Sequence, residues 1–278
     1  MTERRSFARG NTLESNGRER QRLRTQSQSL RKYTTDLLEA IEVGPNASAV
    51  DLGCGPGGAT DILCELVGPD GHVVGVELDE ASVASARRLV RERGLANVEI
   101  VRSDARDTGL PSSSFDLVHV RLLLVNVPAP EEVVAETVRL VRPGGYVAVL
   151  EPDVALGVCY PPDSSLARLI ELLRTAYRTA GADLYPGRRL PHLLATAGLE
   201  KIAVHARAEV CPWGHPQSTV CLDLVQNMRS KILNSRLIDE PELDQLEHAA
   251  RKHLADPNTM SLRVTYFAAC ARKPTWAA

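Results

Sequence analysis

The sequence predicts an α/β fold, built on a mostly parallel sheet with helices on both faces. Three observations carry this expectation. Between Ser48 and Glu151, short apolar strand-like runs alternate with helical ones. The first such run opens into a glycine-rich turn, Gly53-Cys-Gly-Pro-Gly-Gly58. Turn residues at Gly68-Pro-Asp-Gly71, Gly94 and Arg142-Pro-Gly-Gly145 punctuate the rest. Such alternation means right-handed βαβ units.

The elements follow in order. Leu23, Leu30, Leu37, Leu38 and Ile41 fit one apolar helix face, stopped by Gly44-Pro-Asn46. Ser48–Leu52 reads as the first strand and Thr60–Val67 as a helix. His72–Glu77 is the second strand. Asp79–Arg93 is amphipathic through Val83, Ala86, Leu89 and Val90, and Gly94 closes it. Val98–Arg102 and Phe115–Val120 are the third and fourth strands, Pro130–Val141 a helix, and Tyr146–Glu151 the fifth strand. A Pro-rich link then leads to helices at 164–180 and 190–197, a strand at 201–210, helices at 219–234 and 241–254, and a closing strand at 261–272. Five strands plus two late ones suggest a seven-stranded sheet.

Composition narrows the class. At ~150 residues per domain, 278 residues suggest two domains or one large one. The run of elements favours one domain interrupted by its own insertions. Its parts are a leader at 1–20 expected to lack order, a helical segment at 21–47, a core at 48–151, and a completing segment at 152–278 with lid insertions at 154–190 and 212–258. No run of 18 apolar residues marks a membrane span, and no apolar h-region marks a secretory leader. Residues 1–32 carry eight Arg, one Lys and three Glu, or +6, so the other 246 residues carry −8 of the net −2. An acidic body argues against a nucleic-acid groove. The six cysteines form no C-x-x-C pair, and Cys211-Pro-Trp-Gly-His215 has no second pair to complete a metal site. Reduced thiols and a cytoplasmic setting are expected, with no metal.

Chemistry concentrates in Ala49-Val-Asp-Leu-Gly-Cys-Gly-Pro-Gly-Gly58. Glycines at 53, 55 and 57 permit a tight turn and close approach to a ligand. Gly53, Gly55 and Gly58 also satisfy G-x-G-x-x-G, which by spacing alone leaves a dinucleotide site open. Against that reading, the acid Asp51 precedes the first glycine. A second acid, Glu77, ends the second strand, where a carboxylate can accept both hydroxyls of a ribose.

Asp51–Gly58, Glu77, Asp104-Ala105, Phe115–Val118 and Arg142-Pro-Gly-Gly145, in this order and spacing, resemble the class I S-adenosylmethionine-dependent methyltransferases. The likeness covers about residues 48–151. His119-Val-Arg121 followed by Glu151-Pro-Asp153 is familiar in the small-molecule branch that includes ubiquinone/menaquinone-type and natural-product tailoring enzymes. The resemblance implies a Rossmann-like seven-stranded sheet with its last strand antiparallel, capped by helical lids. It implies S-adenosylmethionine as methyl donor and S-adenosylhomocysteine as product. Gly53, Cys54, Gly55 and Gly57 would pack against the donor, and Asp51 would hold its ammonium. Glu77 would take the ribose hydroxyls, with Leu78 on the adenine face and Asp104 and Ala105 at the adenine amino group. Gln26 and Tyr33 would close over the methionyl end. His119 would lie beside the methyl donor as the first candidate base, a structural histidine being comparably favoured, and Glu151 is the second.

For Arg121 an ion pair with Glu151 or Asp153 is expected over contact with substrate, since a buried arginine usually needs a carboxylate. Motifs for nucleic-acid amino groups, RNA cytosine C5, protein arginine and metal-assisted catechol methylation are absent. A small, partly apolar acceptor of secondary metabolism remains, with O, N or C as the methylated atom and the oligomeric state open. The competing readings are a same-fold enzyme that binds the donor but catalyses a cyclisation, and a nicotinamide-dependent oxidoreductase.

Overall fold

The structure, a computed structural model, describes residues 17–154, 158–215 and 218–276. Most of the leader expected at 1–20 therefore lies outside the described residues, and its last positions belong to α1 (Gly17–Ser29). The sheet comprises β1 (Ser48–Leu52), β2 (His72–Glu77), β3 (Val98–Arg102), β4 (Phe115–Arg121), β5 (Val141–Asp153), β6 (Val158–Tyr160), β7 (Glu200–Pro212) and β8 (Met260–Arg272). β3, β2, β1, β4 and β5 are parallel neighbours in that order. β8 runs antiparallel to β5 along Thr265–Arg272, to β6 at Ser261, and to β7 along its length. The seven expected strands are present. The eighth, β6, is three residues that extend the line of β5 beside the start of β8.

The central strands are near-continuous apolar runs because both faces are covered. Val50, Leu52, Val118, Val120, Val147 and Val149 pack on one face with α5 (Pro130–Leu140) and α7 (Pro186–Thr196). Ala49, Leu117, Ala148 and Leu150 pack on the other with α2 (Arg31–Glu39) and α3 (Thr60–Val67). α4 (Glu80–Glu92) starts at Asp79, whose carboxylate accepts from the Ser82 amide, an N-cap worth about 1 kcal/mol.

The single helix expected over 23–41 is two, α1 and α2, with fully buried Leu30 at the joint. Arg142-Pro-Gly-Gly145 is not a turn before the fifth strand. It is a bulge inside β5, where pairing with β4 shifts between Phe115 and Leu117 and Gly144 takes φ +76°. α7 starts four residues earlier than expected, at Pro186, and holds Pro191 inside it. The helix expected over 219–234 is α8 (Val220–Asn227) and α9 (Arg229–Asn234), divided at Met228.

The helical segments after β5 share a core of their own. Leu169, Leu172, Leu173 and Ala176 of α6 (Ser164–Thr179) meet Leu222 and Val225 of α8 and Leu243 and Ala250 of α10 (Glu240–Leu254). Aspartates cap both longer helices, Asp163 at α6 and Asp239 at α10. The sheet order reverses between β1 and β4. A crevice at the carboxyl ends of strands is where open α/β sheets bind ligands.

Candidate active site

A cavity of about 520 Å³ opens at this switch point. Its floor is the turn after β1. Gly53 has φ +69°, and a Cβ there would stand 2.9 Å from Leu123. Gly55 has φ +58°, and a Cβ there would meet nothing within 4 Å, so its bare backbone faces open space. Gly57 departs from expectation: it turns toward Leu89 of α4 and does not line the cavity. Cys54 lines the cavity but is almost wholly buried. Its Sγ lies beneath Gly75, among Val83, Ala86 and Ile100. Burial, reinforced by the charges of Asp51 and Glu77, pushes this thiol well up, so it stays protonated.

Two carboxylates flank the floor. Glu77 accepts from the Leu78 and Asp79 amides through Oε1, both at 2.8 Å, and from the Gly55 amide through Oε2 at 2.9 Å. Burial raises its pKa against the pull of those amides. The carboxylate is thus locked toward the cavity with lone pairs left for hydroxyl donors. Asp51 pairs through Oδ1 with His119 Nδ1 at 2.8 Å. Its Oδ2 is buried with no hydrogen-bond partner among the described residues, and Asp51 lines the cavity. An orphaned carboxylate oxygen in a cavity wall suits a cationic ligand group. Leu78, 43% exposed, and Ala105 supply apolar wall. Burial would raise the Asp104 carboxyl, but the Arg106 guanidinium and amide hold it below its ordinary value. The Arg106 side chain grips it bidentately at 3.0 and 2.7 Å. The donor set fits an adenosyl group with a zwitterionic end.

Both candidate bases stand elsewhere. His119 is 0% exposed and lines neither cavity; it stands beside Asp51 across the β1–β4 ladder. Its contact orients Asp51. Glu151, also 0% exposed, accepts from the amides of Leu123 and Leu124 at 2.8 Å and Val125 at 3.3 Å. It caps the single 3-10 turn Leu124–Asn126 after β4. Burial, opposed by those three amides, pushes its pKa to about 8. Tyr33 also misses the cavity. Its ring packs against Tyr266 at 6.1 Å, with the Arg207 guanidinium 5.0 Å above it. Gln26 does line the cavity.

Arg121 corrects the ion-pair expectation. Asp153 is taken by Arg188 and Glu151 by backbone amides. Arg121 instead donates to Thr34 Oγ1 at 3.0 Å and Ser27 Oγ at 2.9 Å, and it lines the cavity.

A second cavity, about 290 Å³, lies between α6, α8 and β8. Its wall is mostly apolar, with Leu166, Ile170 and Leu173 from α6, Leu224 from α8, and Val264 from β8. The sequence hid it because apolar lid residues read as ordinary helix cores. Leu23, Gln26, Leu122 and Asn126 line both cavities, so the two adjoin there. Among the described residues no cluster of His, Cys, Asp and Glu could hold a metal, and no helix is long and apolar enough to cross a membrane.

Comparisons with known proteins agree with this geometry. The methyltransferase domain family matches residues 50–149. The demethylmenaquinone methyltransferase of Geobacillus sp. (strain WCH70) is 35% identical over 120 residues, which are 43% of this chain and 51% of that protein. The chain thus spans about half the length of the curated relative it matches. The YcgJ protein of Bacillus subtilis superposes with a TM-score of 0.61 at 13% identity, covering 87% of this chain and 99% of its own. Geranyl diphosphate C-methyltransferase of Streptomyces coelicolor A3(2), solved with S-adenosyl-L-homocysteine, gives 0.52 at 17% identity, covering 88% and 77%. These two likenesses show the fold. Residues 50–149 thus match the methyltransferase domain family, in a chain with the fold of these two structures.

Proposed function

We propose that the protein transfers the methyl group of S-adenosylmethionine to an O, N or C atom of a small, largely apolar organic molecule, releasing S-adenosylhomocysteine. One observation carries this reading. A polar cavity suited to the donor adjoins an apolar cavity under the lid through Leu23, Gln26, Leu122 and Asn126. Bound in the first cavity, the donor supplies an electrophilic sulfonium methyl. Glu77 would bind its ribose, Asp51 its ammonium, and Leu78, Asp104 and Ala105 its adenine. The lid wall would orient the acceptor and exclude water, and proximity would carry the rate.

His119 and Glu151 act in this reading as supports. His119 holds Asp51, and Glu151 holds the turn that carries Leu123 and Asn126 to the cavity. The mostly apolar lining of the lid cavity favours a metabolite over nucleic acid. All six cysteines are free thiols, which suits the cytoplasm. A tailoring step of secondary metabolism is the role we favour.

Calorimetric titration with S-adenosylhomocysteine, followed by labelled S-adenosylmethionine in metabolite extracts, tests the reading. Binding and a labelled product heavier by one methylene are expected. A product of unchanged mass would point to cyclisation. Failure to bind either cofactor form would sink the proposal.

A further inference from the structure

Arg121 is the last residue of β4, at the point where the sheet order reverses. Its guanidinium is set into the cavity wall, and burial pulls its pKa down against the charges of Asp51 and Asp61. Its hydrogen-bond partners are two neutral hydroxyls, Ser27 and Thr34. Among the described residues no carboxylate lies within ion-pair distance of it. Of the two acids whose charge reaches it, Asp61 is held by Arg31 and Arg93, and Asp51 turns Oδ1 to His119 and forms no ion pair with Arg121. A desolvated cation without a counter-ion is costly, so such a group is expected to meet its anion in the ligand.

The surroundings are built for it. Ser27 Oγ donates to the Gly58 carbonyl at 2.5 Å while accepting from Arg121. A Cβ at Gly58 would collide with the Arg121 guanidinium. Asp51 is the cross-strand partner of His119, two residues before Arg121 on the same face of β4. Its unpartnered Oδ2 and the Arg121 guanidinium therefore belong to one wall. One negative and one positive group in one wall match a zwitterionic α-amino acid.

We propose that Arg121 binds the α-carboxylate of the donor's methionyl end while Asp51 Oδ2 takes its ammonium. This rests on S-adenosylmethionine being the donor. The test is calorimetry on the full chain with S-adenosylhomocysteine and with its decarboxylated analogue, S-adenosyl-3-thiopropylamine. The wild type is expected to bind the decarboxylated analogue about 10- to 100-fold more weakly, the range of charge-assisted hydrogen bonds. Arg121→Gln should lose that factor for S-adenosylhomocysteine and lose nothing for the analogue. Arg121→Lys should recover part of it. Equal weakening of both ligands in Arg121→Gln, or no discrimination by the wild type, would overturn the assignment. Should Arg121→Gln fail to fold, the discrimination shown by Arg121→Lys relative to the wild type decides instead. A wild type that binds neither ligand would refute the donor itself, a different outcome from failure at Arg121.

Discussion

Glu151 should make stability depend on pH in a direction opposite to an ordinary carboxylate. Its folded pKa is about 8, against 4.5 for the unreacted group. Below pH 4.5 both states carry the proton and the stabilisation is complete. As pH rises, the unfolded chain releases the proton first while the folded chain keeps it. The folded state then binds more protons, so stability falls with pH. The slope is about 1.4 kcal/mol per pH unit. Between the two pKa values this sums to about 5 kcal/mol, of which about 3 is lost by pH 7. That is a large share of the ~5–15 kcal/mol of a typical domain.

The assay is urea denaturation followed by circular dichroism from pH 4.5 to 9, on the wild type and Glu151→Gln. The glutamine keeps a carbonyl for the Leu123 and Leu124 amides and cannot titrate. Subtracting the two curves removes the contribution of every other carboxylate. The difference should favour the wild type increasingly toward low pH and level off above pH 8. Parallel curves for the two proteins would refute the buried, proton-retaining Glu151.

Other substitutions separate the remaining roles. His119→Asn, which can still donate to Asp51, should lower kcat less than tenfold in a steady-state assay, because general-base loss costs ~10²–10⁴-fold; a hundredfold fall would restore His119 as the base. Ile170→Trp should fill the lid cavity, abolishing methyl transfer while leaving calorimetric binding of S-adenosylhomocysteine unchanged; weakened cofactor binding would mean the two cavities are one site. Gly53→Ala forces a Cβ to within 2.9 Å of Leu123 at φ +69°, so Tm should drop by several degrees, for a cost of about 1–3 kcal/mol; an unchanged Tm would show that the turn relaxes freely.

The donor half was legible in the sequence because its chemistry is local. Asp51, Gly53 and Gly55 share one turn, and Glu77 ends the strand paired beside it. Asp51 and Glu77 lie at or near the carboxyl ends of neighbouring strands β1 and β2. Elsewhere the sequence misled for a common reason. A residue at a strand end shows its type but not which wall it faces. His119 and Glu151 both sit behind the cavity, fixed by partners 68 and 26 to 28 residues away. Arg121 missed its expected partner because Arg188, 35 residues beyond Asp153, takes that carboxylate. β6 is three residues whose strand character comes from pairing with a segment about a hundred residues later, and no local pattern encodes that.

The two cavities also differ in the kind of physics that reads their ligands. The donor wall uses directional groups, including the Glu77 carboxylate, the orphaned Asp51 oxygen and bare glycine backbone. Such groups need particular residue types at particular positions, and they leave a signature in the chain. The lid wall uses leucine, isoleucine and valine, whose attraction is non-directional and scales with area. Many sequences can build it, so shape decides which acceptor fits. Leu23 and Gln26 of α1 belong to both walls. Under the proposed function that helix would meet the donor and the acceptor together. Changes along its inner face should alter donor affinity and acceptor choice at once, whereas changes in α6 or α8 should alter acceptor choice alone.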